Sequence, residues 1–291
     1  MSSRNFWITG LAFVGGLVLF IFFLILLGSF FLLKGRPVIH VGEKIGVVEI
    51  KGLISEADQV LKNLRYFARD SSVKAVVVRI DSPGGAVGAS QEIYRELKRL
   101  AQKKPVVASM GSVAASGGLY VALGAQKILA SPGTITGSIG VMIQIPNLSR
   151  LLEKVGVEAT IIKSGPYKDT GSLFRPLTEE ERKLLYQTIR DVYEQFVNAI
   201  SESRGIPPEK IRKFADGRVF TGKQAKEWGL IDGFGNLEDA IELAAQMAGL
   251  SKPPQVVYPP QEKFWLHWLA KNDLGSQLAI LFAPFYLLQW P

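Results

Sequence analysis

Residues 75–100 read Ala75-Val-Val-Val-Arg-Ile80, then Asp81-Ser-Pro-Gly-Gly85, then Gln91–Leu100 with Ile93, Leu97 and Leu100 at helical spacing. An unbroken apolar, β-branched run predicts a strand buried on both faces, and the 3.6-residue spacing predicts a helix laid against it. The same alternation extends outward. Ile45–Ile50 is a strand candidate and Ala57–Phe67 a helix candidate on the N-terminal side. On the C-terminal side follow strands at Val106–Ala108, Lys127–Ala130, Ile139–Ile143 and Thr160–Ile162, with helices at Gly117–Gly124 and Leu148–Val155. Strands alternating with helices predict an α/β fold with a mostly parallel sheet. Past Arg175 the pattern turns helical. Thr178 and Glu181 form a capping box for a helix running to Ser203 and stopped at Gly205. Shorter helices are expected after Pro207, at Thr221–Trp228 and at Leu237–Ala248.

The chain has 291 residues, 47% hydrophobic, with 34 Lys and Arg against 26 Asp and Glu for a net charge of +8. That composition excludes disorder. There is no cysteine and histidine occurs twice, at His40 and His267. Disulfides, thiolate metal sites and a cysteine nucleophile are therefore excluded, and no metal or cofactor is expected. No Lys/Arg-rich run accompanies the positive charge, so nucleic acid is not an expected partner.

Between Arg4 and Lys34 no residue is charged. A bilayer is crossed by about 20 apolar residues, so 1–36 is read as an uncleaved membrane anchor. The apolar run is longer than the about 7–15 residues of a signal-peptide core, and no small-x-small site ends it. Basic residues flank both ends, so charge alone leaves the orientation open. Lys252–Pro260, with four prolines, is read as a linker. The apolar, aromatic stretch beyond it, Leu274–Trp290 with Trp265 and Trp268 before it, is read as a tail that caps the domain, binds a partner or lies on a membrane.

Four clusters of small residues could carry chemistry. Asp81-Ser-Pro-Gly-Gly85 leaves a buried strand through two glycines that let backbone amides approach a ligand. Ser116 follows two alanines and precedes Gly117 and Gly118 at a helix start, a setting for either an N-cap or a nucleophile with oxyanion donors beside it. Thr134-Ile-Thr-Gly-Ser-Ile-Gly140 and Lys163-Ser-Gly-Pro-Tyr-Lys-Asp-Thr-Gly171 are hydroxyl-bearing and lysine-bearing loops. A nucleophilic serine needs a base. Neither histidine is well placed, and a desolvated lysine can serve when it is neutral.

Taken together, Asp81-Ser-Pro-Gly-Gly85, Ala114-Ala-Ser-Gly-Gly118, Thr136-Gly-Ser-Ile-Gly140, Ser164-Gly-Pro-Tyr-Lys-Asp169 and Ala215-Asp-Gly-Arg-Val-Phe-Thr-Gly222 resemble the short bacterial form of signal peptide peptidase A. The resemblance covers about Glu43 to Ala248 and implies a Clp protease/crotonase-like fold of repeated β-β-α units with a helical C-terminal half. The expected layout is an anchor at 1–36, a peptidase domain at 43–250, and a linker and tail at 251–291. The resemblance implies a serine endopeptidase acting by a Ser–Lys dyad. Ser116 is then the nucleophile and Lys168 the base, with Ser138 orienting the Lys168 amine. Gly85 and Gly117 form the oxyanion hole, and the Gly84–Gly85 turn binds substrate by strand addition. Asp169, beside Lys168, is expected to face away from it. The implied substrates are residual signal peptides and other apolar peptides. The implied setting is the inner membrane, as a single-pass homo-oligomeric ring with its catalytic domain outside the cytoplasm. The tail after Pro260 has no counterpart in that pattern. Rival readings are an acyl-CoA enzyme of crotonase type with Asp81 as its acid, a quality-control protease for particular membrane proteins, and an inactive peptide-binding scaffold.

Overall fold

The computed structural model describes residues 14–28, 43–250 and 254–260. The chain divides into two units, Met1–Gly42 and Glu43–Pro291. In the first, residues 14–28 form helix α1, whose large apolar side chains are exposed. Among the described residues no helix is long and apolar enough to cross a membrane. The rest of the expected anchor, and the tail at 261–291, lie outside the described residues.

The second unit is built on one sheet. Its strands are β1 (Lys44–Lys51), β2 (Val73–Ser82), β3 (Val106–Ala115), β4 (Lys127–Ala130), β5 (Ile135–Gly137), β6 (Val219–Thr221), β7 (Gly233–Phe234) and β8 (Gln255–Val257). The order is β6-β5-β3-β2-β1-β8, with β4 also on β3 and β7 on β4. Every pairing is parallel except β5 with β6. The helices of the first half are α2 (Asp58–Arg69), α3 (Val87–Ala101), α4 (Gly117–Ala122) and α5 (Ser149–Lys154). Those of the second are α6 (Glu179–Arg204), α7 (Pro208–Ile211), α8 (Gly222–Glu227) and α9 (Leu237–Met247).

Both faces of the central strands are covered, which is why β2 reads as a continuous apolar run. Ala75 and Val77 pack with Ile45, Val47 and Val107 under Ala240, Ile241 and Ala244 of α9. Val76, Val78 and Ile80 face the other way, into the larger core shared with Leu64 and Phe67 of α2 and Ile93 and Leu97 of α3. The expected capping box holds: Thr178 Oγ1 accepts from the Glu181 amide, and Gly205 ends α6 at φ 66°.

The sequence reading departs from the structure in several places. β3 runs on to Ala115, seven residues past the expected end, because it changes partner along its length. Val107–Met110 pair with β4, and Val113–Ala115 with β5. The fifth strand is Ile135–Gly137, inside the stretch read as a loop, whereas Ile139–Ile143 and Thr160–Ile162 form no strand. Ile162 is 96% exposed, so its β-branched character finds no partner. Gln255–Val257, within the proline-rich linker, adds a strand at the β1 edge.

One close contact fixes α2 on β1. A Cβ at Gly46 would lie 2.7 Å from the Phe67 ring, and Phe67 is fully buried. Gly46→Ala is expected to destabilise the protein by about 1–3 kcal/mol through overpacking. In urea titrations that cost should shrink by at least about 0.5 kcal/mol on a Phe67→Leu background, as direct contact requires. Equal costs on both backgrounds would refute the contact.

Candidate active site

The carboxyl ends of parallel strands are where open α/β sheets place their ligand sites. Here β2, β3 and β5 end side by side, at Ser82, Ala115 and Gly137. Ala115 is paired with Gly137, so the next residues, Ser116 and Ser138, leave the sheet as neighbours. The Ser116 amide donates to the Gly137 carbonyl at 2.8 Å, and the Ser138 amide to the Arg218 carbonyl at 2.8 Å. Both serines have φ 51°, and they are the only described non-glycine residues with positive φ. Left-handed backbone costs a non-glycine residue about 1–2 kcal/mol and gathers at functional sites.

The sheet is bent to deliver Ser116. Between Ile80↔Met110 and Ser82↔Ala114 the register slips, so that β3 bulges at residues 111–113. Asp81 Oδ1 accepts from the Val113 amide at 3.0 Å, and a Cβ at Gly111 would lie 2.8 Å from the same carboxylate. Asp81 therefore holds the bulge, and the acid that a crotonase-type reading requires is committed to structure. Thr136 Oγ1 donates to the Ala114 carbonyl at 2.6 Å and Thr134 Oγ1 to the Gly111 carbonyl at 2.8 Å, which ties β5 to the bulged strand.

The turn after β2 meets the turn after β3. A Cβ at Gly84, where φ is 101°, would lie 2.6 Å from the Gly117 nitrogen and 2.9 Å from Ser116 Cβ. A Cβ at Gly117 would lie 3.3 Å from the Gly85 nitrogen and would overlap the Ser90 hydroxyl. Only glycine permits this approach, and it leaves the Gly85 and Gly117 amides as neighbours next to Ser116. The turn is held by Ser82 Oγ, which accepts from the Gly84 amide at 3.1 Å, and by an exchange with Ile54. The Ile54 amide donates to the Gly84 carbonyl at 2.9 Å, and the Ala86 amide to the Ile54 carbonyl at 2.7 Å. Gly85 is exposed, and Ser116 and Ser138 are half-buried.

Ser116, Ser138, Gly84 and Gly85 open onto a groove of about 730 Å³ walled by Leu53, Met142, Tyr186 and Tyr193. A smaller recess of about 30 Å³, room for about one water, adjoins Ser116 and Gly117 and is lined by Val87, Tyr120 and Phe196. Tyr120 stacks edge-on against Phe196 at 5.0 Å.

Lys168 stands apart. It is exposed, its amide donates to the Gly165 carbonyl at 3.3 Å, and it lines neither cavity. Five of the six expected site residues are thus brought together, and Lys168 is not among them. Asp169, expected only to face away from Lys168, is paired with other cations. Its carboxylate accepts from Lys163 Nζ at 2.6 Å and, in a fork, from Arg175 Nε at 2.7 Å and Nη2 at 2.8 Å. Arg175 also donates to both oxygens of Glu181, from Nη1 at 2.8 Å and Nη2 at 2.5 Å. Glu181, almost fully buried, accepts further from the Thr178 amide at 2.9 Å and Thr170 Oγ1 at 3.0 Å. The Arg175 guanidinium, aided by the Thr178 amide, holds the Glu181 carboxyl down at about 2; Arg175 and Lys163 together hold Asp169 below the usual carboxylate range. Sequence reasoning missed Arg175 and Ser90. Arg175 stands six residues from each of its acids, a spacing with no helical or strand period to announce it. Among the described residues no group of three His, Asp or Glu side chains is placed to hold a metal ion.

The model of peptidase family S49 matches residues 98–251, and that of Clp protease matches residues 47–145. A Synechocystis sp. protein named "Putative protease slr0021" is 51% identical over 210 residues, which are 72% of this chain and 76% of that protein. "Putative signal peptide peptidase SppA" of Enterococcus faecium is 39% identical over 220 residues, 75% of this chain and 63% of that one. A ClpP1 mutant from Listeria monocytogenes is similar at TM-score 0.47 and 23% identity over 67% of this chain and 93% of its own. With its matched region spanning the strand that delivers Ser116, the serine turns and the loop bearing Lys168, the chain belongs to peptidase family S49.

Proposed function

We propose that the protein is a membrane-anchored serine endopeptidase in which Ser116 and Lys168 of one chain form a catalytic dyad. The observation that carries this reading is the pair of strained serines at the ends of β3 and β5, set beside two glycine amides. Strain of that kind persists where a reacting group must be aimed, and the fork of β3 between β4 and β5 aims Ser116 into the groove.

The steps follow from the residues. Ser116 Oγ attacks a peptide carbonyl while its proton passes to the neutral Lys168 amine. The oxyanion of the tetrahedral intermediate is bound by the Gly85 and Gly117 N–H groups. Collapse breaks the C–N bond, and the leaving amine takes its proton from the lysine. Water then attacks the acyl-enzyme, giving a proton to Lys168, which passes it to Ser116 Oγ as the C–O bond breaks and the acid product leaves. The Ser138 hydroxyl orients the Lys168 amine. Extended substrate is held by strand addition beside the Gly84–Gly85 turn. The apolar walls suit hydrophobic segments, so residual signal peptides in the bilayer are the proposed substrates. The uncharged run of residues 5–33 holds the domain where such peptides partition, with the catalytic unit outside the cytoplasm. Exposed apolar side chains at Met142, Leu151, Val155, Ile162 and Phe174 fit a surface covered by further copies in a ring.

Two outcomes test the reading. Gly84→Ala is expected to cut kcat by about 10²-fold or more, because its methyl would separate the Gly84–Gly85 turn from the Gly117 amide. Wild-type kcat in that variant would reject the oxyanion assignment. On synthetic signal peptides, activity should rise with pH as the base loses its proton. Ser116→Ala and Lys168→Arg should both be inactive, the latter because guanidinium stays protonated. Products identical to wild type from either variant, read by mass spectrometry, would end the dyad assignment.

A further inference from the structure

Lys168 is followed directly by a carboxylate, and a base in that position works against its neighbour. An acid within reach of an amine favours the ammonium form, which cannot accept the Ser116 proton. In the structure Asp169 is taken up elsewhere. Its two oxygens accept from Lys163 at 2.6 Å and from the forked Arg175 at 2.7 and 2.8 Å. These two cations are the charged groups that face it. The other edge of the guanidinium grips Glu181 in the first turn of α6.

We propose that Arg175 is a positioning residue for Lys168: it seats the lysine's loop on the start of α6 and keeps the adjoining Asp169 carboxylate from pairing with the Lys168 amine. The proposal rests on Lys168 being the base. Guanidinium is suited to the task because its planar fork holds two carboxylates at once and stays charged at alkaline pH. Both acids are depressed below their ordinary values of 3.8 and 4.5. The stability they contribute is therefore whole above those values and lost only as pH falls below them. The Arg175 fork stays closed through the neutral and alkaline range, so a change in the pH–rate profile there does not come from titration of its two acids.

The test is the pH dependence of kcat/KM on an apolar fluorogenic peptide for Arg175→Gln, Arg175→Gln with Asp169→Asn, and Lys168→Ala. In Arg175→Gln the Asp169 carboxylate keeps only its Lys163 contact, and the rising limb should move up by about one pH unit, with activity at neutral pH lowered about tenfold. Removing the freed acid with Asp169→Asn should bring the midpoint back, even where total activity stays below wild type. A limb that stays in place in Arg175→Gln, with activity reduced equally at every pH, would mean a structural role alone and overturn the proposal. A midpoint that Asp169→Asn does not restore would overturn it as well. If Arg175→Gln does not fold, Arg175→Lys is read in the same way, since a single ammonium cannot fork across Asp169 and Glu181. Lys168→Ala separates the two claims. If it is inactive while the Arg175 variants leave the limb in place, only this proposal fails. If it keeps the wild-type profile, the base assignment itself fails and takes this proposal with it.

Discussion

The hydrogen bond from the Ser116 amide to the Gly137 carbonyl, at 2.8 Å, is the contact on which the site turns. It is the last rung between β3 and β5, and it places both serines just past the sheet edge. Everything upstream serves to make that rung possible. The bulge at residues 111–113 lets β3 leave β4 and meet β5. The Asp81 carboxylate and the Thr134 and Thr136 hydroxyls satisfy the backbone groups that the bulge would otherwise strand. Gly84 and Gly117 then let a second turn close on the first. A hydroxyl, two amides and an open groove result, on a rigid base buried on both faces.

Much of this was legible in the residues. The apolar run at Ala75–Ile80, buried on both faces, announced β2. The capping box at Thr178 and Glu181 and the stop at Gly205 set both ends of α6. The glycine clusters after β2 and β3 marked the two turns that meet at Ser116. These features are local, and local chemistry is written in local sequence. What escaped reading depends on partners far along the chain. β5 is three residues long and exists because β3 and β6 lie on either side of it. The two rejected strands, at Ile139–Ile143 and Thr160–Ile162, have strand-like composition but no neighbour to pair with. Gln255–Val257 shows the reverse, a stretch rich in flanking proline made into a strand by the free edge of β1. The Arg175 fork was hidden for the same reason, since nothing in a run of six residues says which carboxylates a guanidinium will find.

The site divides into a part fixed by the sheet and a part carried by a loop. Ser116, Ser138 and the glycine amides are held by backbone hydrogen bonds and close packing. Lys168 is carried on a loop held by backbone turns and by ionic contacts that meet at Arg175. That division has a chemical logic. The proposed oxyanion donors must not move during reaction, because their value lies in being oriented beforehand. The proposed base must be kept from stray carboxylates, and the Arg175 fork takes up the one that follows it in the chain.

The central claim is that an uncharged Lys168 amine activates the Ser116 hydroxyl. It is tested most directly by reacting the intact protein with a peptidyl phosphonate and mapping the adduct by mass spectrometry, in wild type and in Lys168→Ala. The account predicts one adduct, on Ser116, that forms faster as pH rises and is lost in the folded Lys168→Ala variant. An adduct on another residue, or equal labelling of Ser116 without the lysine, would contradict it.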